Sequence, residues 1–276
     1  EGLDDYSVGR SLGAGAMAPY VNGKLWLNEN FASQELLENG PLRTTFKLTY
    51  NDLDVDGKKI AESRTISIDA GSQLSKIVQA YTIKEPMDVA AGIVKRQSGD
   101  SIISSTDNGY IIYSEPKTNK VEGVNVAMVF PEGFKEMKVD TYDNFNPVKK
   151  QTATYSHVLG IATQQPRIPV TYYIGYGWKE FGYPTTGDFE KYVQDFASAL
   201  KEPLKILTQG AACIIDNNLD FTIETTSQDE LGQLCTAFET MRKTLLENNY
   251  TLWRQAEERK RLNAAFSHNL RNPVKI

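Results

Sequence analysis

The sequence has few of the residues from which many functional sites are built. Its 276 residues include only two cysteines, Cys213 and Cys235, and two histidines, His157 and His268. The absence of cysteine before Cys213 excludes a disulfide framework from the first three quarters of the chain. The two cysteines are too far apart for a metal knuckle or a redox pair, so we expect small buried side chains.

Long apolar runs and an excess of positive charge are also absent. No window reaches the ~18 consecutive apolar residues of a membrane-spanning helix, and the acidic residues 1–5 do not form a signal peptide. The net charge of -5 gives no electrostatic footprint for nucleic acid, which we do not expect as a partner. The length and the 40% hydrophobic content predict two globular units.

The first ~180 residues contain short alternating runs that predict strands. In residues 44–50, Phe46, Leu48 and Tyr50 fall on one face, and residues 65–69 alternate in the same way as a return strand. Many such runs with few helical windows favour an antiparallel sandwich or barrel. Further runs are residues 102–103, 110–113, 124–130 and 170–174.

Residues 52–57 read Asp-Leu-Asp-Val-Asp-Gly, which is the opening of a calcium-binding EF-hand loop. The twelfth position of that loop requires a bidentate Glu, but Ser63 stands there and Glu62 comes one place early. We therefore predict a hairpin with acidic turn residues and no metal site.

The pattern changes to helical near residue 188. Asp188 is the expected N-cap, and Pro203 is expected to end or kink the helix because its ring removes a backbone donor. A second helix is then expected up to the turn-forming residues 216–218. One stripe carries the apolar residues of the first helix, which are Phe189, Tyr192, Val193, Phe196 and Leu200.

An extended connector and a heptad seam follow. Leu219, Phe221 and Ile223 alternate through the connector. The seam predicts a coiled coil, with a second copy of the chain as its simplest partner and a lone solvent-bridging helix as the alternative. Apolar residues at steps of three and four form this seam, which consists of Leu231, Leu234, Phe238, Met241, Leu245 and, after Asn248, Leu252.

This order of helix, connector and second helix resembles the HAMP relay module of membrane receptors over roughly residues 203–249. Pro203 matches the proline that starts the first HAMP helix, and Glu230 and Gly232 match the Asp-Glu-x-Gly element that opens the second. The resemblance implies a parallel four-helix dimer bundle whose packing switches.

Residues 266–273, Phe-Ser-His-Asn-Leu-Arg-Asn-Pro, resemble the H-box of sensor histidine kinases. The resemblance implies that His268 accepts a phosphoryl group, work that suits a neutral imidazole near pH 7. In the kinase family the residue after the histidine is usually acidic, but here it is Asn269. An amide orients the ring but does not accept its proton. A separate kinase domain holding ATP and Mg²⁺, and a response regulator, are the implied partners, and no cofactor is expected in this chain.

The β-rich part resembles an uncharacterised bacterial family found near polysaccharide-degradation enzymes. Residues 6–15, 38–43, 69–73 and 156–160 carry the resemblance. It implies a supersandwich fold and a carbohydrate ligand such as a uronic-acid oligosaccharide, with elimination or hydrolysis as the reaction.

For uronide elimination, His157 and Tyr155 are the candidate proton-transfer groups, two residues apart on one strand. A cation must also neutralise the carboxylate, and an aromatic ring must stack on the sugar. A core or edge position without catalytic work is the alternative for His157. The candidates for ligand binding are Arg10, Arg43, Trp178 and Lys179.

The sequence thus predicts an antiparallel β (super)sandwich in residues 1–202, a HAMP-like domain in 203–250 and the start of a phosphotransfer helix in 251–276. The helical part is expected in the cytoplasm near a membrane, and the β part in the periplasm or secreted, which suggests a truncated fusion. One hypothesis is a signalling fragment that dimerises through its C-terminal helices. The other is a carbohydrate-active enzyme or binding domain with an incidental helical tail.

Overall fold

The computed structural model describes residues 11–95, 99–117, 123–146, 150–224 and 230–271, and for residues 144, 146, 230 and 268–271 it describes the backbone alone. The chain divides into two compact units, Glu1–Ser198 and Ala199–Ile276. Among the residues described, neither helix has a stretch long and apolar enough to cross a membrane.

The first unit consists mainly of β-strands. In chain order they are β1 (Ala14–Val21), β2 (Lys24–Leu25), β3 (Ser33–Asn39), β4 (Arg43–Thr49), β5 (Leu53–Val55), β6 (Lys58–Ile60), β7 (Glu62–Asp69), β8 (Leu74–Tyr81), β9 (Met87–Lys95), β10 (Ser101–Ser105), β11 (Tyr110–Ser114), β12 (Val124–Val129), β13 (Glu136–Asn146), β14 (Gln151–Gln164) and β15 (Val170–Trp178).

These strands form two sheets and a hairpin. The smaller sheet has the order β13-β14-β9-β1-β2, the larger has the order β10-β11-β12-β15-β8-β7-β4-β3, and β5 pairs with β6. Neighbouring strands within the sheets are antiparallel, so the predicted antiparallel β architecture is confirmed.

A shared apolar core joins the two sheets. Val89, Ile93 and Val158 of the smaller sheet pack in one cluster with Ile111 and Met128 of the larger. Apolar faces buried against each other in this way are the main source of stability in a β-sandwich.

Gly15 lets the sheets approach closely. Its φ is +109°, and a Cβ there would lie 2.3 Å from Ile174 of the opposite sheet. The hydroxyl of Tyr172 donates to the Gly15 carbonyl at 2.7 Å across the same gap. This glycine therefore has a packing role.

The predicted pairing around residues 44–69 is confirmed. β4 pairs with β7, and Thr45 lies opposite Ser67. Between these strands the β5–β6 hairpin turns at Asp56 and Gly57, whose φ angles of 53° and 80° are the positive values that tight hairpin turns require. Asp54 accepts a hydrogen bond from the Gly57 N–H at 2.8 Å, so the acidic residues form the expected turn.

β3 is the last strand of the larger sheet and is exposed along its whole length. Its central side chains, Leu36 and Leu37, are exposed, and the pairing register with β4 shifts at this point. β3 pairs with β4 on one side, with Glu35 opposite Lys47.

The first helix, α1, spans Thr186–Ile215, and its start corrects a prediction. Thr185, and not Asp188, is the N-cap, because its Oγ1 accepts the Asp188 N–H at 3.2 Å. The Asp188 carboxylate in turn accepts the Thr185 N–H at 3.0 Å. This is a reciprocal capping box, in which the acidic residue stands three places inside the helix.

Of the two alternatives predicted at Pro203, a helix end or a kink, the end is wrong, since α1 continues through Pro203 to Ile215. Proline removes one backbone hydrogen bond, and burial of Ala197 before it and Leu207 after it outweighs that loss. The predicted stop at residues 216–218 is confirmed. Asn217 has a φ of 61°, and the Asn218 N–H reaches the Cys213 carbonyl at 2.9 Å, which closes the helix as a Schellman motif.

The second unit contains the end of α1, the connector and the helix α2 (Glu230–Arg271). Leu207, Ile223 and Cys235 form its buried core, with Phe221 and Phe238 packed against them. In the connector Leu219 and Ile223 are buried and Asp220 is exposed, which confirms the predicted alternation. Of the two cysteines, Cys235 is buried and Cys213 is partly exposed.

Candidate functional site

His157 lies on β14 and is fully buried. Its Nε2 accepts the Leu12 N–H at 3.1 Å, and its ring stacks on Tyr142 with centroids 5.3 Å apart. Burial lowers the pKa of His157 to about 4, so the ring is neutral near pH 7. A buried ring that already accepts a backbone hydrogen bond is poorly placed to act as a base. The role of His157 as the base in elimination stays a prediction.

Tyr155 shares this aromatic row. Its ring centroid lies 6.0 Å from that of Tyr142, so Tyr142 contacts both predicted residues. The structure therefore brings His157 and Tyr155 into one row of side chains in the smaller sheet.

The other predicted sugar-binding residues lie elsewhere. Arg43, on β4 of the larger sheet, forms a two-point ion pair with Asp69, with one contact at 3.0 Å. This pairing lowers the pKa of the Asp69 carboxyl. Trp178 ends β15, and the adjacent Lys179 donates to the Glu115 carbonyl at 3.4 Å. Arg10 lies outside the described residues.

A buried polar network on β7 and β8 is the most developed chemical cluster of the first unit, and the sequence patterns did not predict it. Glu62 accepts hydrogen bonds from Gln79 at 3.1 Å and from Asn28 at 3.0 Å. Arg64 donates to Gln79 at 2.7 Å, while its closest approach to the Glu62 carboxylate is 3.5 Å. We call these four residues the Glu62 network.

Burial dominates the electrostatics of this network. It raises the pKa of Glu62 above the ordinary value, although the hydrogen bonds from Asn28 and Gln79 and the charge of Arg64 act in the opposite direction. The neighbouring Tyr81 is also fully buried, and its pKa is raised well above normal for the same reason. A carboxyl that protonates more readily than usual is suited to proton transfer.

Two clefts adjoin near this network, and both are lined by Thr82 and Ile83. The smaller has a volume of about 340 Å³ and is lined by Glu62 and Tyr81, with Lys47 and Arg167 also in its wall. We call it the Glu62 cleft.

The larger cleft has a volume of about 830 Å³. We call it the lysine cleft, because four lysines line it together with apolar residues of β1, the β5–β6 hairpin and the loop between β8 and β9. These lysines are Lys58, Lys59, Lys84 and Lys135.

In the second unit a different carboxylate–arginine pair fixes the connector. Glu239 and Arg242 form a bidentate ion pair with contacts of 2.7 and 2.8 Å. Arg242 also donates to the Leu219 carbonyl at 2.6 Å, and Glu239 accepts the Ile223 N–H at 3.1 Å. The hydrogen bonds from Arg242 chiefly lower the pKa of Glu239, to about 2. Both ends of the connector are thereby tied to α2.

α2 has two contrasting faces. Cys235 and Arg242 are buried within the unit, whereas Leu234 and Met241, one residue earlier in each case, are 49% and 45% exposed. Leu245 and Leu252 continue the exposed row. Four residues of the predicted seam, Leu234, Met241, Leu245 and Leu252, are therefore open to solvent in the single chain, whereas Phe238 packs against the core of the unit.

The motif residues predicted for the HAMP and H-box segments lie at different positions in α1 and α2. Pro203 lies inside α1, and Gly232 is buried in the first turn of α2. Glu230 is the first residue of α2, and its side chain is outside the description. His268 and Asn269 lie near the end of α2, and their side chains are likewise outside it.

A β-sandwich unit followed by a helix–connector–helix relay unit is the class of protein that this architecture defines. Residues 196–247 match the HAMP domain. Residues 1–206 match the family described as Domain of unknown function (DUF4861), and the chain belongs to that family. The predicted resemblances to the HAMP module and to an uncharacterised family are thereby confirmed, and the H-box resemblance of residues 266–273 stays a prediction.

The β unit is also similar to Uncharacterized protein P7 of Formosa agariphila. The two are 31% identical over 210 residues, which cover 76% of this chain and 50% of that protein. The chain thus spans about half the length of the curated relative it matches.

Proposed function

We propose that this chain is part of a two-component sensor, in which HAMP helices of two copies pair and His268 accepts a phosphoryl group. The HAMP domain indicates a signal-transduction relay. The rest of the proposal is carried by the exposed apolar seam residues on α2. They lie next to the face of α2 that is buried within the same unit.

The seam favours a second copy of the same chain as its partner. Apolar residues repeated every three and four positions pack best against an identical repeat on a parallel helix. Of the first five seam residues, Leu234, Met241 and Leu245 are exposed beside the buried positions Cys235 and Arg242, while Leu231 and Phe238 are half-buried. Two copies therefore provide the four helices of a bundle, two from each chain.

The same heptad count reaches the phosphotransfer segment. α2 is continuous from Glu230 to Arg271, and the count from Leu252 arrives at Leu262 and Phe266 as the next apolar seam positions. His268 then has position c, outside the two core positions of the heptad. A histidine at such a position suits attack on a nucleotide held by another domain.

The chemistry requires a kinase domain that supplies ATP and Mg²⁺. A ring nitrogen of His268 forms a bond to the γ-phosphorus, the bond from that phosphorus to the bridging oxygen breaks, and ADP leaves. Asn269 orients the imidazole through its amide but does not take up the proton, which passes to the solvent or to the kinase domain. A response regulator is the expected acceptor of the phosphoryl group.

Sedimentation of the full chain tests the pairing of helices. We expect a dimer, and we expect Met241→Lys with Leu245→Lys to shift it to monomer because charge enters the seam. The control is Thr240→Lys, which adds the same side chain at an exposed position of α2 and leaves the dimer unchanged. A wild-type chain that stays monomeric at high concentration would refute the pairing.

Labelling tests the phosphoryl acceptor. The full chain receives label from radioactive ATP when a histidine-kinase catalytic domain is added, and His268→Gln removes the label. Asn269→Glu is expected to accelerate labelling, since a carboxylate accepts the proton that an amide does not. Equal labelling of wild type and His268→Gln would rule out this role.

As a second function, we propose that the β unit binds or processes an acidic oligosaccharide. The specific observation in its favour is the Glu62 cleft, where a carboxyl of raised pKa lies beside Tyr81 and near cationic side chains. Elimination from a uronide needs a proton-transfer group and a cation that neutralises the carboxylate. This arrangement supports the Glu62 cleft over the His157 row as the place of chemistry.

Measuring the turnover of acidic oligosaccharides by two variants distinguishes the Glu62 cleft from the His157 row as the site of chemistry. If the Glu62 cleft is the site, Glu62→Gln loses most of the activity while a folded His157→Gln variant retains it. The reverse result would favour His157 with Tyr155 as the original prediction had it. Absence of both binding and turnover in the wild type would remove the carbohydrate proposal.

A further inference from the structure

The lysine cleft carries positive charge that the described part of the chain does not neutralise. Lys135 is paired with Asp88 at 2.8 Å, and Asp88 also accepts from Thr163 at 2.6 Å. Lys58, Lys59 and Lys84 have no ion-pair or hydrogen-bond partner among the residues described. Three unpaired cations therefore share one cleft of a chain whose net charge is -5.

The acidic residues of this cleft cancel its four lysines only in part. Asp88 is bound to Lys135 and Thr163, and Asp56 accepts from the Asn22 amide at 3.0 Å, a bond to a neutral group that adds no charge. Glu85 is the third carboxylate in the wall. Four lysines and three carboxylates leave an excess of one positive charge, which attracts an anionic ligand, most strongly at low ionic strength.

Part of the cleft lining is apolar. The buried Val55 and Ile60 of the β5–β6 hairpin line the cleft together with Ile83, Pro86 and Met87. Cations beside apolar side chains match a ligand that has a nonpolar face and charged groups at its edge. Sugar rings bearing carboxylate or sulfate groups have this character, and the volume of about 830 Å³ is that of a typical binding site for a small ligand.

Tyr20 adds an aromatic ring to the wall. Its hydroxyl accepts a hydrogen bond from the exposed Lys138 Nζ at 2.6 Å, and Tyr20 lines the cleft. An aromatic ring in the lining is suited to contact a sugar face.

We infer that the lysine cleft binds the charged groups of an acidic oligosaccharide, with Lys58, Lys59 and Lys84 as the anion-binding residues. This inference rests on the proposed carbohydrate function and gives it a location. Because the two clefts share Thr82 and Ile83, a chain of sugars in the lysine cleft extends toward Glu62.

Calorimetric titration of the full chain with defined oligosaccharides tests the inference. The series consists of a neutral oligosaccharide, an oligouronate, a sulfated oligosaccharide of the same length, and inorganic sulfate. We expect binding of at least one of the two charged oligosaccharides, which identifies carboxylate or sulfate as the recognised group. Its affinity falls as salt is added, and the neutral sugar binds far more weakly.

The double variant Lys58→Gln with Lys84→Gln is expected to weaken that binding roughly tenfold at low salt, since two exposed charge contacts of modest strength are lost. Lys191→Gln with Lys205→Gln is the matched control, because it removes the same charge from two exposed positions of α1. Circular dichroism confirms that both variants fold.

Three results would overturn the inference, and they differ in whether the proposed carbohydrate function also fails. If a charged oligosaccharide binds and the cleft variant retains wild-type affinity, the cleft is wrong while the carbohydrate function stands. If neutral and charged sugars bind equally, the acidic ligand is wrong. If no oligosaccharide binds, the carbohydrate function fails as well, even where inorganic sulfate binds in a lysine-dependent way.

Discussion

Each unit of this protein contains a carboxylate next to an arginine, and the two pairs behave in opposite ways. Glu62 is 3.5 Å from Arg64 and takes its shorter hydrogen bonds from the neutral amides of Asn28 and Gln79. Glu239 is held by Arg242 through two contacts below 3 Å and by a backbone N–H. Burial raises the pKa of Glu62, whereas the direct hydrogen bonds lower the pKa of Glu239 to about 2.

The difference shows that a nearby arginine does not by itself decide the charge state of a carboxyl group. A bidentate contact stabilises the ionised form strongly, because two short charge-assisted hydrogen bonds act together. Neutral donors offset only part of the cost of burial in the Glu62 network. The β unit therefore contains a carboxyl whose pKa burial raises, and the HAMP unit contains one whose pKa a bidentate arginine lowers.

Removal of Arg64 is expected to have the largest effect. Arg64→Met leaves the buried Glu62 carboxylate without its cation, and we expect a loss of about 3 kcal/mol in the free energy of unfolding of the β unit. Hydrogen exchange of β7 and β8, read separately from α2, measures it. Arg43→Met is the control, since Arg43 belongs to a half-exposed pair, and a cost as small as that of the control would contradict the structural importance of the Glu62 network.

Removal of Arg242 sharpens the comparison in the HAMP unit. Arg242→Met leaves the Leu219 carbonyl and the Glu239 carboxylate without their donor, so we expect the connector to detach from α2. Faster exchange of the connector amides 219–223 reports the change. Lys243→Met is the matched control, because Lys243 is exposed and approaches the same carboxylate only at 3.7 Å. Equal effects of the two variants would mean that net charge matters more than the bidentate contact.

Glu62 and Glu239 should contribute to the pH dependence of stability with opposite signs. The folded pKa of Glu239 lies below its ordinary value of 4.5, so its contribution to stability is present above pH 4.5 and is lost as the pH falls toward 2. The folded pKa of Glu62 is raised, so its contribution is present below the ordinary pKa and is lost as the pH rises through the folded value. The free energy of unfolding of each unit is measured against pH in the wild type and in the Glu239→Gln and Glu62→Gln variants. The difference between wild type and variant gives the slope that each carboxyl group contributes. Slopes of the same sign would contradict the comparison.

The smallest effect is expected from Asn28. Asn28→Ala removes one neutral donor from Glu62, and we expect a loss of about 1 kcal/mol and a further rise in the pKa of Glu62. Titration of Glu62 by NMR in the variant checks the direction. Asn22→Ala, which removes a similar bond to the exposed Asp56, is the control and leaves the Glu62 pKa unchanged.

Much of the fold follows from simple patterns. The alternation in residues 44–50 and the apolar runs of β11, β12 and β15 predict strands that the structure contains. β1 and β9 are less visible, because they are rich in alanine and glycine, whose strand propensity is low. Even so, Ala91 is fully buried in the core between the sheets, and Ala90 is fully buried in a second apolar cluster. The end predicted at Pro203 was wrong because packing on both sides outweighs one lost hydrogen bond.

The candidate sites were harder to predict. The heptad seam and the HAMP motif are local in sequence and were found. The Glu62 network joins residues from three separated segments, and its one local signal is the spacing of Glu62 and Arg64, which places both on the same face of a strand. The lysine cleft arises from loops and a hairpin that only the folded chain brings together.

The exposed edge strand β3 also has a practical consequence. Among the residues described, no strand pairs with its outer side, which leaves backbone groups unpaired beside Leu36 and Leu37, while Glu35 and Glu38 keep identical edges apart by their negative charge. Added salt screens this repulsion. The solubility of the protein is therefore expected to fall as the ionic strength rises, and precipitation would begin with the joining of β3 edges.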